Sequence, residues 1–129
     1  MNQSDITDFV EIYDTRENSW CLFEIGLSSP RWLMTTLSTH KDRVLIVGGI
    51  EKDGKESVVV EEIDFIKRSL VNLAPMNRGR AGANIIHLLD SLFVFGGGSL
   101  PRQEQKAIVG EQYSTKENKW RSLEFEGSF

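Results

Sequence analysis

Like residues recur in this chain at a fixed distance. Tyr13, Ile63 and Tyr113 stand 50 positions apart, and so do Trp20, Leu70 and Trp120. Glu11, Glu61 and Glu111 keep the same register, as do Phe23, Leu73 and Leu123. The first and third copies are closest: Thr15-Arg16-Glu17-Asn18-Ser19-Trp20 against Thr115-Lys116-Glu117-Asn118-Lys119-Trp120. A period of roughly 20–50 residues marks a repeat architecture, in which one supersecondary unit buries its apolar surface only by stacking on its neighbours.

A second recurrence lies inside the period. Arg43-Val44-Leu45-Ile46-Val47 ends in Gly48-Gly49, and Ser91-Leu92-Phe93-Val94-Phe95 ends in Gly96-Gly97, an offset of 48. Each is a short apolar run rich in β-branched and aromatic residues, with Asp42 or Asp90 just ahead. Such a run predicts a strand buried on both faces; both are too short, and too closely bounded by turn residues, for a helix.

The rest of the chain follows from these two signals. Residues 6–14 read as a strand, 15–18 as a turn with Asn18 in the left-handed conformation that Asn tolerates, and 19–23 as the returning strand. Residues 32–37 form the next strand and His40-Lys41-Asp42 its turn, ahead of strand 43–47. Asp53-Gly54 marks a turn in the polar loop 50–56. Strands over 57–63 and 69–73 complete the unit, and the second unit repeats it as 83–88, 91–97, 106–114 and 119–123. The organisation is therefore half a unit (6–23), two full four-stranded units (32–73 and 83–123) and a tail (124–129), with no convincing helix.

The diglycine after a buried strand, the Tyr followed seven residues later by Trp, and Pro75-Met76 with Arg78 ahead of the next unit resemble the Kelch repeat, over about residues 6–123. The middle unit departs from the pattern, with Ile63 and Leu70 where Tyr and Trp are expected. Tryptophan–aspartate repeats fit less well, since the chain has no Gly-His or Trp-Asp dipeptide. The resemblance implies an all-β fold of kelch-type propeller blades. Gly48, Gly49, Gly96, Gly97, Tyr13, Trp20, Tyr113 and Trp120 would be its structural motif residues, the glycines allowing close backbone approach and the aromatics packing within blades. Propellers typically have about four to eight blades. Two and a half repeats would be an incomplete ring, completed by further blades of a longer chain or, less readily, by self-association. The exposed blade faces and strand edges would otherwise invite aggregation.

Several function classes are disfavoured. Net charge is −4, from 15 basic and 19 acidic residues, which argues against a general nucleic-acid binder. Cys21 is the lone cysteine, which rules out an internal disulfide and fits a reducing compartment. No apolar run reaches membrane-spanning length, and the polar start lacks signal-peptide character, so the cytosol is expected. The glycine pairs lack the Lys-Ser/Thr and following helix of a phosphate loop. His40, His87 and Cys21 share no metal-ligand spacing. Glu11, Glu61 and Glu111 recur in register and read as strand-surface positions rather than converging catalytic carboxylates. No nucleophile motif stands out. Neither catalysis nor a cofactor is expected.

Binding residues concentrate on loops held by a rigid scaffold. Loops 50–56 and 98–105, with the connections 24–31 and 74–82, are expected on one face. Arg31, Arg78, Arg80 and Arg102 lie there, with Lys52, Lys55 and Lys106 nearby. Arginine pairs bidentately with carboxylates, so this face is expected to take an acidic peptide or protein surface. The competing account is that these arginines are solvated, or pack between blades as motif residues. The resemblance implies a non-catalytic interaction scaffold: a substrate receptor of a cullin-type ubiquitin ligase, or an actin-binding cytoskeletal scaffold. A galactose-oxidase-like propeller enzyme is a further reading, but its ligand set of two histidines and two tyrosines does not map onto His40, His87, Tyr13 and Tyr113.

Overall fold

The computed structural model describes residues 6–97 and 108–124. These form twelve strands and no helix. The first half-unit is a hairpin of β1 (Glu11–Asp14) and β2 (Ser19–Leu22). Next come β3 (Arg31–Trp32), β4 (Thr35–His40), β5 (Arg43–Val47), β6 (Ile50–Glu51), β7 (Val60–Asp64) and β8 (Ser69–Asn72). The last unit holds β9 (Asn84–Leu88), β10 (Ser91–Phe95), β11 (Ile108–Ser114) and β12 (Lys119–Glu124). Two four-stranded antiparallel sheets result, ordered β4-β5-β7-β8 and β9-β10-β11-β12, with β3 and β6 pairing separately. The expected all-β architecture is the one observed, an incomplete propeller-like stack of blades.

The fifty-residue spacing is a spacing of hairpins. Tyr13 pairs with Trp20, Ile63 with Leu70 and Tyr113 with Trp120 across the two outer strands of each unit. All three turns place the same position in the left-handed region, at Asn18 (φ 50°), Arg68 (φ 51°) and Asn118 (φ 49°). In the first two turns an Asp carboxylate holds the bend: Asp14 accepts from the Arg16 and Glu17 amides, and Asp64 from those of Ile66 and Lys67. Asp side chains form such local turns readily.

Three strands start more than two residues from the sequence reading. The strand expected over 6–14 begins only at Glu11. The strand expected over 32–37 is broken at Leu33 (φ 56°), and β4 starts at Thr35 and runs through His40. The carbonyl of Leu33 accepts from the Gly82 amide at 2.9 Å, so the connection to the next unit sets this break. The strand expected from residue 57 begins at Val60. The Ser57 amide bonds the Gly49 carbonyl and the Val59 carbonyl bonds the Gly48 amide, closing a turn around the diglycine instead.

Strand β5 lies between two cores. Leu45 and Val47 point to one side, where they join Leu92, Val94, Tyr113 and Trp120 of the following sheet. Ile46 points to the other, where it joins Ile63 with Phe23 and Leu27 of the first half-unit. Coverage on both faces is why the run lacks polar alternation. The matching run in β10 is covered differently. Leu92 and Val94 are buried against the preceding sheet, whereas Phe93 and Phe95 stack on each other at 6.2 Å on a half-open face beside Ile86, which is 47% exposed. The expectation that 92–95 is enclosed on both sides is corrected: among the described residues no sheet covers that second face.

Candidate interaction surface

The connections between blades make the most specific contacts of the molecule. The first, 24–31, ends in Arg31, whose Nη1 lies 2.6 Å from Glu61 Oε1 and whose Nε donates to the Gly48 carbonyl. The second, 74–80, ends in Arg80, whose Nε lies 3.1 Å from Glu111 Oε2 and whose Nη1 donates to the Gly96 carbonyl. Each carboxylate is also bound by its connection three residues before the arginine. Ser28 donates its amide and hydroxyl to Glu61, and Asn77 donates its amide to Glu111. The side chains of Arg31, Glu61 and Glu111 are 0% exposed and that of Arg80 2%. Among the described residues, Nη2 of each arginine is enclosed without a hydrogen-bond partner.

This overturns two assignments. Arg31 and Arg80 do not offer a recognition face; they are the packing residues of the competing account, sealed between blades. Glu61 and Glu111 are not strand-surface residues, although Glu11 is exposed. A buried guanidinium must be paired and hydrogen-bonded, and the register brings one buried carboxylate to each. Arg78 is half-buried, and Arg102 and Lys106 lie outside the described residues. The sequence reading missed Ser28 and Asn77 as carboxylate ligands. Their signal is visible only in hindsight, as two polar residues each three positions ahead of a recurring arginine.

The diglycines serve the same junction. Gly48 has φ 65°, and a Cβ there would sit 2.1 Å from the carbonyl oxygen of Arg80. The Gly49 amide donates to that same oxygen. The connection leaving one blade therefore lies across the end of that blade while its side chains grip the next. Trp120 completes the grip: its Nε1 donates to the Ala74 carbonyl at 2.7 Å, and the Ala74 amide donates to Asn118 Oδ1, which also accepts the Tyr113 hydroxyl. Burial, reinforced by the nearby Glu62 carboxylate, raises the pKa of Tyr113 above the ordinary tyrosine value.

Loop 50–56 sits at this same end. Gly79 of the second connection is packed against the Glu56 carbonyl, and β3 of the first connection pairs with β6 at the start of the loop. The loop tip is held by the Asp53 carboxylate, which accepts from the Lys55 amide, and exposes Lys52 and Lys55. At the other end of the blades, a cleft of 220 Å³ between the two sheets is lined by His40, Arg43, Glu62, His87 and Tyr113. His40 and His87, unrelated by spacing, thus come to one cleft. Arg43 there lies 3.3 Å from Asp64, whose carboxyl is held below the usual range by the Lys67 amide, against the opposing effect of burial, with further help from the Ile66 amide and from Arg43. A second cleft of 530 Å³ beside β12 is lined by polar residues including Asn77, Gln112, Lys119 and Arg121. Among the described residues no group of three or more His, Cys, Asp or Glu side chains is placed to hold a metal ion, and no helix is long and apolar enough to cross a membrane.

No protein-family model matches the chain, and no curated protein matches it in sequence. Its backbone does match the solved structure of YjhT, with a TM-score of 0.64 and 23% identity, over 75% of this chain and 29% of that one. At that identity the likeness speaks for the fold alone. The chain spans under a third of that protein and has a propeller-like all-β architecture in common with it.

Proposed function

We propose that the chain is a set of kelch-type repeats that acts as a non-catalytic protein-interaction scaffold in the cytosol, presenting the diglycine end of its blades to an acidic partner surface. One observation carries this reading. Connections and loop converge on that end, and the buried Arg31–Glu61 and Arg80–Glu111 pairs tie the connections beneath it to the blades. Loops on such a scaffold are where recognition residues are found. With Arg31 and Arg80 sealed inside, the cations of that face left to contact a partner among the described residues are Lys52, Lys55 and Arg78. Lys55 is 3.9 Å from Asp53, but both are exposed, and such a pair exchanges readily for an external carboxylate.

The test is binding of a fluorescein-labelled oligo-glutamate peptide, followed by anisotropy at low and physiological salt. Charge reversal of Lys52, Lys55 and Arg78 together should weaken capture at least tenfold while leaving the circular dichroism spectrum unchanged. Equal binding by the triple variant would remove the acidic-partner reading. Co-sedimentation with filamentous actin separates the cytoskeletal role from a soluble peptide receptor.

A further inference from the structure

The two junctions between units are filled differently. Phe23 and Leu73 are counterparts: the Phe23 amide bonds the Val10 carbonyl at 2.8 Å, and the Leu73 amide bonds the Val60 carbonyl at 2.9 Å. Phe65 and Thr115 are counterparts as well. The Phe65 amide donates to the Asp42 carbonyl, and the Thr115 hydroxyl lies 3.4 Å from the Asp90 carbonyl. In the first junction Phe23 and Phe65 meet ring to ring, with centroids 5.1 Å apart, and Ile12 packs against the same apolar core. In the second junction Leu73 and Thr115 stand in their places. Both line the 220 Å³ cleft between the two four-stranded sheets.

The lining of the cleft departs from the repeat in its chemistry too. Glu62 occupies the position that Ile12 and Gln112 hold in the other units. Its Oε2 accepts from the Thr39 hydroxyl at 3.2 Å. Its Oε1 is 3.8 Å from Arg43 Nη1, beyond hydrogen-bond reach, and among the described residues no other donor meets it. Arg43 is already drawn to Asp64, at 3.3 Å, so one cation faces two carboxylates. That balance opposes an anionic ligand and favours a donor. A half-buried carboxylate with a free lone pair gains most from a hydrogen bond that replaces water. Burial first, and the Glu62 carboxylate second, raise the pKa of Tyr113, which fits a Glu62 charge acting on that wall. His40, His87 and Tyr113 bring aromatic rings to the lining, against a floor of Leu45 and Leu92.

We infer that this cleft is a binding site for a small planar nitrogen heteroaromatic, whose ring lies where the first junction holds its phenyl rings and whose N–H donates to Glu62. Size agrees with the class. A cavity of about 150 Å³ takes benzene, and drug-sized ligands fill about 300–1,000 Å³. A cleft of 220 Å³ suits one or two fused rings. Leucine floor and aromatic walls receive the faces and edges of such a ring. Glu62 then selects among flat molecules by their donor. The site lies at the end of the blades away from Lys52 and Lys55, so it does not depend on the acidic-partner reading.

Indole and benzofuran test this as a pair, since they share a bicyclic shape and differ in an N–H against a ring oxygen. Each is titrated into the isotope-labelled 129-residue chain and followed by chemical shift. Indole should give saturable shifts at Thr39, His87 and Thr115 and leave Lys55 unmoved. Benzofuran should bind about tenfold or more weakly, the worth of one hydrogen bond to a charged acceptor. No saturable shift up to the solubility limit of indole overturns the inference, and so does equal affinity for the two compounds. Leu73→Phe with Thr115→Phe rebuilds the ring pair of the first junction and should abolish indole binding; retained binding overturns the site. Glu62→Leu gives a second arm that does not depend on whether the double variant folds. It should make indole and benzofuran bind alike, and a preference for indole that survives removes Glu62 as the acceptor. N-acetyltryptophanamide separates a free ligand from the tryptophan side chain of another protein. Weaker binding than indole supports the free ligand, and tighter binding would assign the cleft to a protein side chain and overturn the ligand named here.

Discussion

Arg80 and Glu111 belong to different blades and meet with 3.1 Å between Nε and Oε2, both side chains almost wholly removed from solvent. The arginine comes at the end of a connection and the glutamate from the middle of β11. Desolvating two charges costs several kcal/mol, offset only when geometry and extra hydrogen bonds are good. Here the Asn77 amide and the Gly96 carbonyl supply those bonds.

Breaking the pair should therefore cost more than replacing it. Arg80→Ala leaves a buried carboxylate uncompensated and is expected to destabilise the chain by about 3–5 kcal/mol. The double change Arg80→Met with Glu111→Leu removes both charges and should recover most of that loss. Urea unfolding of the three proteins checks this, and equal stability of the single and double variants would count against it.

The two diglycines predict different tolerances. Among the described residues a Cβ on Gly96 meets nothing within 4 Å, so Gly96→Ala is left with its positive φ, for a cost of about 1–2 kcal/mol. Gly48→Ala adds a collision with the Arg80 carbonyl and should cost about 2–5 kcal/mol. The same unfolding experiment orders the two.

The two repeat tryptophans should part company as well. Trp120→Phe removes the donor to the part-buried Ala74 carbonyl, at a cost of about 1–3 kcal/mol. Trp20→Phe alters an exposed ring and should stay within about 0.5 kcal/mol of the parent. Thermal denaturation followed by circular dichroism distinguishes them.

Stability should fall at both ends of the pH scale, through different groups. Asp64 has its pKa lowered in the fold, so its contribution is present above the unfolded carboxylate pKa and is lost as pH falls through the folded value. Tyr113 has its pKa raised, so its contribution is present below the unfolded tyrosine pKa and is lost as pH rises through the folded value. Asp64→Asn should flatten the acid limb of a plot of melting temperature against pH, and Tyr113→Phe the alkaline limb. Limbs unchanged in the variants would show that other groups set them.

The repeat could be seen before any coordinates because hairpin register is a local property. A left-handed turn at Asn18, Arg68 and Asn118 and a fixed cross-strand pairing leave their trace at constant spacing in the chain. The apolar runs told strand from helix for a similar reason, since turn residues close them within a few positions. Burial was not local. Glu11 and Glu111 occupy the same register position, as do Trp20 and Trp120, yet one of each is exposed and the other enclosed. Likewise only its recurrence from Arg31 sets Arg80 apart from Arg78 two residues earlier, and that spacing by itself says nothing of burial. Which arginine meets a carboxylate depends on how one sheet stacks on the next, and stacking is a relation between units that no single unit encodes. The sequence by itself determined the strands, their turns and their repetition; the tertiary structure alone decided which charges were locked together and which aromatic face was left uncovered.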